Sequence, residues 1–345
     1  MPVEQEMTHY NCTQADHTLG IYRGGDVYVC CPLWTCGPVG SILTTDPSEL
    51  WRGDKVAEMR RHVADKTFSS CRQCPYLPAP SGPITEVQGE YAPSRDLRVH
   101  ALAVAYDHTC NLACPTCRQQ LFAPSPDETY TMSEITARLA RSPLLELVDV
   151  MYLAGGGEPL ASRHYQALVD SIDRSRCPNL RLAICTNGRL LDPERWERLV
   201  GPNRWTDGQT TVRELQVSLD AATDATYAQL RRDGSSRPLA MPWSNLYFIK
   251  SLREQELVDR VVLNFVVQAA NYAEMPAFVR LAADLHADEI HFQKFLNWGT
   301  FDDASYRARA VHLRDHPMHQ SFAEVLRDET MRSETPKVVW IGNLE

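Results

Sequence analysis

The chain has 345 residues and a formal net charge of −9 at pH 7. A hydrophobic fraction of 43% and a charged fraction of 23% are those of an ordinary globular protein large enough for two domains. The negative charge disfavours binding to nucleic-acid phosphates. No apolar run approaches the ~20 residues of a membrane span, and no secretory signal is present. We therefore expect a cytoplasmic protein with neither a nucleic-acid nor a membrane partner.

Cysteine is the most informative residue type in the first part of the chain. Eleven cysteines without a secretory signal indicate metal ligation rather than disulfides. The four ligand candidates are Cys12, Cys30, Cys71 and Cys74. Gly25 lies between the first two, with four residues between it and Cys30. A helix is predicted over 56–64, and the last two cysteines then form a C-x-x-C pair.

This order resembles the SPASM/twitch class of auxiliary iron–sulfur domains. With a single final C-x-x-C pair it is similar to the shorter twitch form, which implies one auxiliary [4Fe–4S] cluster on those four cysteines. Cys31 and Cys36 are additional; either could replace Cys30, or both could be buried thiols. A zinc module on the same cysteines is the alternative. In the resembled class this domain usually follows the catalytic barrel, whereas here residues 1–95, including a Pro-, Ser- and Gly-rich linker at 78–95, precede it.

From Leu97 onward, apolar strands alternate with helical patterns, which indicates parallel pairing through crossover helices. The predicted strands are 99–106, 147–154, 180–185, 214–219, 260–267 and 289–295. The predicted helices are 132–141, 163–173, 193–200, 224–232, 243–257 and 274–285. The tail, 298–345, is expected to be a capping segment. Its histidines, His312, His316 and His319, are interpreted as part of that cap rather than as a metal site.

Three cysteines stand in one loop directly after the first of these strands. Cys110, Cys114 and Cys117 have C-x-x-x-C-x-x-C spacing, and Pro115 prevents a helix between the last two. A four-iron cluster normally takes four thiolates, so three would leave one iron open to a small chelating ligand. Structural zinc, the alternative, usually takes four ligands in C-x-x-C pairs. The spacing favours the cluster.

Three further motifs end the next three strands, in chain order. They are Gly155-Gly156-Gly157-Glu158-Pro159 after Ala154, Cys185-Thr186-Asn187-Gly188, and Ser218-Leu219-Asp220-Ala221. With the cysteine loop, this ordered set resembles the radical S-adenosylmethionine (radical SAM) superfamily. The resemblance implies an α/β fold, a partial (β/α)6 barrel over residues 96–297, with a [4Fe–4S] cluster and SAM as cofactors. It also implies function at the carboxyl-terminal ends of the strands.

The resemblance also implies which residues hold SAM. Gly156, Gly157 and Glu158 would hold the methionine amino group, although the glycines could form a simple turn. The ribose candidates are Ser218 and Asp220, and Thr186 and Asn187 complete the set. Arg231 or Arg232 could pair with the SAM carboxylate through the planar guanidinium; a solvated helix face is the alternative.

Two features bear on the substrate radical. Cys185 lies at a strand end where a thiol could return a hydrogen atom to that radical, which would make an epimerase, although a buried cysteine acting as a small hydrophobe is the ordinary interpretation. His291 and Gln293 alternate on one strand, so they share a face that lines either the barrel or the core.

The predicted activity is reductive cleavage of SAM to a 5′-deoxyadenosyl radical that abstracts hydrogen from a substrate, with oxidation assisted by the auxiliary cluster. With residues 1–95 assigned to the cysteines, no leader-binding module is expected, which favours a small molecule (a sugar, amino-sugar or nucleoside of natural-product biosynthesis). The alternatives are a radical SAM peptide maturase, an epimerase and, more remotely, a non-enzymatic iron–sulfur or zinc protein. The partner would be a flavodoxin- or ferredoxin-like reductant.

Overall fold

The computed structural model describes residue 12, residues 14–72, residue 74, and residues 98–153, 155–201 and 212–342. The predicted linker at 78–95 lies outside these ranges. None of the helices in them combines the length and apolarity needed to cross a membrane.

The described residues form one ten-stranded sheet in the order β10-β9-β8-β7-β6-β5-β4-β1-β2-β3. The strands are β1 Thr18–Tyr22, β2 Asp26–Tyr28, β3 Gly40–Ser41, β4 Val99–Ala105, β5 Val148–Leu153, β6 Arg181–Thr186, β7 Val212–Ser218, β8 Val258–Val267, β9 Glu289–Lys294 and β10 Lys337–Ile341. All neighbours from β10 to β4, and β4 with β1, are parallel. The predicted α/β class with a parallel sheet is confirmed.

Helices accompany the sheet, and those that follow β4 cross between its parallel strands, as the alternating pattern predicts. They are α1 Gln14–His17, α2 Pro47–Arg52, α3 Asp54–Ala64, α4 Pro126–Arg141, α5 Arg163–Asp170, α6 Pro193–Val200, α7 Asp224–Leu230, α8 Trp243–Glu254, α9 Met275–Asp284, α10 Asp303–Arg307 and α11 His319–Leu326. The helix predicted to begin at 132 begins at Pro126, because Ser125 and Glu128 form a capping box that starts it there.

The cysteine-rich segment shares the sheet with the predicted barrel. β1 lies parallel to β4, from Thr18 opposite Ala101 to Tyr22 opposite Ala105, and β2 returns antiparallel beside β1. The two segments are therefore joined by backbone hydrogen bonds as well as by sequence. The boundaries at 95 and 297 remain predictions.

The tail contributes a strand that the sequence reasoning missed. β10 pairs in parallel with β9, and Trp340 stacks on Phe292 with ring centroids 5.5 Å apart. Among the tail histidines, His312 is buried, while His316 and His319 contact backbone carbonyl oxygens of Ala308 and Val311 at 3.2 and 3.1 Å. The tail therefore extends the sheet in addition to covering it.

An aromatic group packs between the sheet and α9. Phe265 on β8 is fully buried, and its ring centroid lies 4.8 Å from that of Phe278 and 5.4 Å from that of Phe292. We expect Phe265→Ala to lower the free energy of unfolding by about 3–5 kcal/mol, because it removes a ring and leaves a cavity. Urea unfolding followed by circular dichroism measures the change. The control is Tyr247→Ala on α8, whose side chain is exposed, with an expected change within about 0.5 kcal/mol.

Candidate functional site

The four sequence motifs meet at one edge of the sheet. They follow β4, β5, β6 and β7, which are consecutive parallel neighbours, so their carboxyl-terminal ends lie side by side. This is the edge where parallel α/β folds place their sites.

The cysteine loop leaves β4 through two buried, hydrogen-bonded residues. The Tyr106 hydroxyl lies 2.8 Å from Thr136 Oγ1. Asp107 is buried, and its carboxylate accepts from Ser162 Oγ at 2.6 Å and from the Thr109 backbone N–H at 2.8 Å. These contacts fix where the loop begins before any cysteine is reached.

The glycine run packs against this loop. A side chain at Gly157 would place its Cβ 2.4 Å from the Asp107 carbonyl oxygen and 2.9 Å from that of Thr109, so no larger residue fits. At Gly156 a Cβ would meet the His108 ring at 3.1 Å. The sequence reasoning attributed these glycines to close approach of a ligand. The structure adds close approach of the cysteine loop itself.

The Glu158 carboxylate connects the second motif to the third. It is buried and accepts from Thr186 Oγ1 at 2.8 Å and from the Asn187 backbone N–H at 2.7 Å. The Glu158 N–H in turn donates to the Thr109 carbonyl at 2.7 Å. Burial raises the pKa of Glu158, and the hydrogen bonds oppose that shift. Glu158 therefore orients neighbouring motifs rather than pointing into open space.

Two of the loop thiols accept hydrogen bonds from side-chain donors. The Cys110 sulfur accepts from the Leu112 N–H at 3.4 Å and from Asn187 Nδ2 at 3.9 Å, and burial raises its pKa to about 11. The exposed Cys117 sulfur accepts from Arg118 Nη2 at 3.5 Å. Arg118 is a contact that the sequence reasoning missed, although it directly follows the last cysteine.

The third thiol contacts a buried ion pair. Arg231 Nη1 lies 3.8 Å from the Cys114 sulfur, and Nη2 lies 2.7 Å from Asp220 Oδ2. The second Asp220 oxygen accepts from the Val266 N–H at 2.8 Å. Arg232 is exposed, and Arg231 is the one of the two whose side chain contacts a loop thiol. The predicted roles of Asp220 toward ribose and Arg231 toward the SAM carboxylate stay predictions, and in the structure these two side chains are paired with each other.

The N-terminal cysteines are grouped at the opposite edge of the sheet. Cys12 precedes α1 and β1, and Cys30 follows β2, which runs antiparallel to β1, so both lie at the amino-terminal edge. Burial raises the pKa of Cys30 to about 12, with further contributions from the thiols of Cys31, Cys12 and Cys74. These four sulfurs are therefore electrostatic neighbours.

Cys71 joins the same group through a short antiparallel bridge to Thr35. Burial raises its pKa to about 11, with Cys12, Cys74 and Cys36 as further causes. Electrostatic contributions to these pKa values thus link the four predicted ligands, and they also link the additional Cys31 and Cys36 to them. The choice between Cys30 and either of these two remains open.

The inner face of β7 to β9 carries a connected row of polar side chains. Glu214 is buried and ion-paired with Arg260, which also contacts Glu289 at 3.1 Å. His291 Nε2 lies 3.0 Å from Glu289. The alternate β7 residues, such as Leu215, belong to the hydrophobic core, so the polar residues occupy the other face.

Amide side chains continue this row toward the motifs. Gln293 Nε2 donates to Asn264 Oδ1 at 2.9 Å, and Asn264 Nδ2 donates to Gln216 Oε1 at 3.3 Å. Gln216 is the register partner of Cys185, and Asn264 that of Ser218. His291 and Gln293 are therefore members of a polar inner wall. The period-two alternation of Glu214 and Gln216 is the signal that could have revealed the rest.

The donor sets fit iron–sulfur clusters in composition. In the described ranges, no three His, Cys, Asp or Glu side chains converge closely enough to hold one metal ion. A cluster needs a wider arrangement of thiols, and thiols are what both groups supply. Each sulfur of the β4 loop also faces at least one N–H donor, two of them on guanidinium groups, which suits anionic thiolates.

Two family models match parts of the chain. Residues 107–241 match the radical SAM superfamily, and residues 12–75 match the SPASM iron–sulfur cluster-binding domain. The chain therefore contains a radical SAM domain preceded by a SPASM iron–sulfur domain, and these two domains imply [4Fe–4S] clusters and SAM as cofactors.

Two curated relatives show how far the similarity extends. The PqqA peptide cyclase of Gluconobacter oxydans (strain 621H) is 26% identical over 203 residues, which are 58% of this chain and 51% of that protein. The GTP 3′,8-cyclase of Synechococcus sp. (strain CC9902) is 36% identical over 126 residues, 35% and 32% of the two chains. The chain thus spans about half of one relative and a third of the other.

Among solved structures, Streptococcus suis SuiB bound to its precursor peptide SuiA is similar with a TM-score of 0.46 and 13% identity. The match covers 86% of this chain and 55% of that one.

The glycine contacts give a graded test. We expect Gly157→Ala to lower the free energy of unfolding by about 1–3 kcal/mol and to reduce iron loading, because the new methyl group collides with loop backbone that cannot move alone. Gly156→Ala is the matched control, since its methyl group meets a side-chain ring that can turn. Iron per chain after anaerobic reconstitution, with urea unfolding, measures both. Equal losses in the two variants would contradict this account.

Proposed function

We propose that this protein cleaves SAM reductively and uses the resulting radical to dehydrogenate a small polar substrate. The observation that carries the proposal is the convergence of four strand-end motifs on the loop of Cys110, Cys114 and Cys117. When bound, the four-iron cluster supplies the electron that releases a 5′-deoxyadenosyl radical from SAM, and a flavodoxin- or ferredoxin-like protein supplies that electron in turn.

The chain's own residues position the reactants. The three thiols bind the cluster, and the Glu158 hydrogen bonds keep the second and third motifs against the loop. Gly156 and Gly157 are partly exposed, so their backbone can approach the methionine amino group. Ser218, also partly exposed, is available to the ribose. Catalysis by these groups is therefore positioning.

Cys12, Cys30, Cys71 and Cys74 would hold a second cluster, which would supply an electron acceptor when bound. The seven-residue β4 places these cysteines about 20 Å from the SAM edge, at ~3.3 Å per residue. The substrate would lose a hydrogen atom to the 5′-deoxyadenosyl radical and a proton to a base, and the remaining electron would pass to that acceptor. The sum is the loss of two hydrogens and a new double bond or ring.

The inner wall supports a polar substrate. Its amides and carboxylates offer hydrogen bonds to hydroxyl and amino groups. The arginine of this wall, Arg260, is shared by Glu214 and Glu289, which makes a poor phosphate site. A sugar or amino-sugar therefore fits better than a nucleotide. A peptide is the second candidate, because one relative is named for a peptide substrate.

Cys185 supports the alternative outcome, epimerisation. It is the register partner of the wall residue Gln216. Burial, together with the carboxylates of Glu214 and Glu158, raises its pKa to about 12. The group is therefore a thiol at neutral pH, the form that carries a transferable hydrogen atom. We favour oxidation because four cysteines support it and only one residue supports epimerisation.

The cluster assignment is tested by iron content. We expect about eight irons per chain after anaerobic reconstitution, from two four-iron clusters. Replacing Cys110, Cys114 and Cys117 with alanine should remove about four and abolish 5′-deoxyadenosine formation. Replacing Cys71 and Cys74 should remove the other four and leave some SAM cleavage. Cys177→Ala, a buried cysteine outside both groups, is the control. Four irons with bound zinc in the wild type would refute the auxiliary cluster.

Product mass separates the two reactions once a substrate is in hand. Oxidation predicts a product two hydrogens lighter than the substrate. Epimerisation predicts an unchanged mass with one solvent deuterium at carbon, and loss of that deuterium in Cys185→Ala. High-resolution mass spectrometry in D₂O reads both, and the second pattern would overturn our preference.

A further inference from the structure

We infer that the buried Arg231–Asp220 pair sets the reduction potential of the cluster bound by the β4 loop. The inference rests on the proposed assignment of Cys114 as a ligand of that cluster. Arg231 is a positioning and electrostatic residue in this inference, acting on the cluster through the Cys114 sulfur.

The guanidinium is fixed in place from behind. Asp220 holds Nη2 at 2.7 Å and is itself held by the Val266 N–H at 2.8 Å and, through its backbone carbonyl, by Asn271 Nδ2 at 2.9 Å. Asp220 has a φ of +62°, a conformation in which aspartate is one of the few residues found. Such a network holds Nη1 toward the Cys114 sulfur, 3.8 Å away.

Burial makes this contact strong. Arg231 is 9% exposed and Asp220 4% exposed, so water screens neither charge well. An arginine stays protonated at any working pH. Reduction adds one electron to the cluster and its thiolates, and a cation within hydrogen-bonding range favours that more negative state. Arg231 therefore raises the potential, while Asp220 partly offsets it.

The Cys117 contact is a useful comparison. Arg118 also donates to a loop thiol, at 3.5 Å, but it is half-buried and that cysteine is exposed. Solvent screening should make its influence smaller. The order of effects expected from burial is therefore Arg231 first and Arg118 second.

An electron paramagnetic resonance redox titration tests the inference. The full chain carrying Cys71→Ala and Cys74→Ala isolates the β4-loop cluster, whose signal is followed against potential. We expect Arg231→Gln to move the midpoint to more negative values and to reduce the fraction reduced by dithionite. Asp220→Asn should move it the opposite way, because it removes the neighbouring anion. Arg118→Gln should give a smaller negative shift.

The control is Arg253→Gln. It breaks a similar arginine–aspartate pair, between Arg253 on α8 and Asp288 just before β9, which is far in sequence from the cysteine loop. Its midpoint should equal that of the parent. Full iron loading with an unmoved midpoint in Arg231→Gln would overturn the inference. Shifts of the same sign in Arg231→Gln and Asp220→Asn would also do so, because a merely structural role disturbs the loop in one direction.

Two further outcomes keep the inference separate from the ligand assignment. If Arg231→Gln binds no cluster, the midpoint potential of Asp220→Asn decides: a shift to more positive values supports the inference, and a shift to more negative values overturns it. If Cys110→Ala, Cys114→Ala and Cys117→Ala together leave the signal intact, the proposed function fails, and this inference fails with it.

Discussion

The buried Glu158 carboxylate is the interaction on which the site depends. A charge without water is tolerated only with hydrogen-bond donors, and here the donors come from Thr186 and Asn187 on the next strand end. The residue's own N–H holds the cysteine loop at Thr109. One side chain and its backbone thus connect three consecutive strand ends. The thiol loop is held against the next two strand ends by these contacts.

Most of the barrel could be predicted from the sequence because its strands and helices differ clearly in hydrophobic period. The elements that the sequence reasoning missed are short or lack that contrast. β1 contains Gly20 and spans five residues, and β10 follows the strand-breaking Pro336. Both are edge additions to the parallel set, where pairing with a neighbour, rather than intrinsic preference, makes a strand. The start of α4 at Pro126 could have been predicted from the capping-box residues Ser125 and Glu128.

For the site, residue type and spacing predict which cysteines group together, because metal chemistry constrains both. Side-chain pairing is not constrained in this way. α7 ends at Leu230, where the chain turns back toward the cysteine loop. Because of this turn, Arg231 is buried against Asp220 while Arg232 is exposed. Whether a charged residue binds a ligand or another residue depends on such local geometry. Spacing therefore identified the ligand candidates but not their supporting partners.

The pairing of β1 with β4 has a consequence for the order of folding. Thr18 and Ala101 are about eighty positions apart, so β1 has no parallel neighbour until β4 has been synthesised. Closing a loop of that length costs conformational entropy that only the finished sheet returns. Until then β1 is paired only with β2, and its other edge is open beside reactive thiols, a combination prone to aggregation and to oxidation. Delivery of iron to the N-terminal cysteines should therefore follow, rather than precede, assembly of the central sheet.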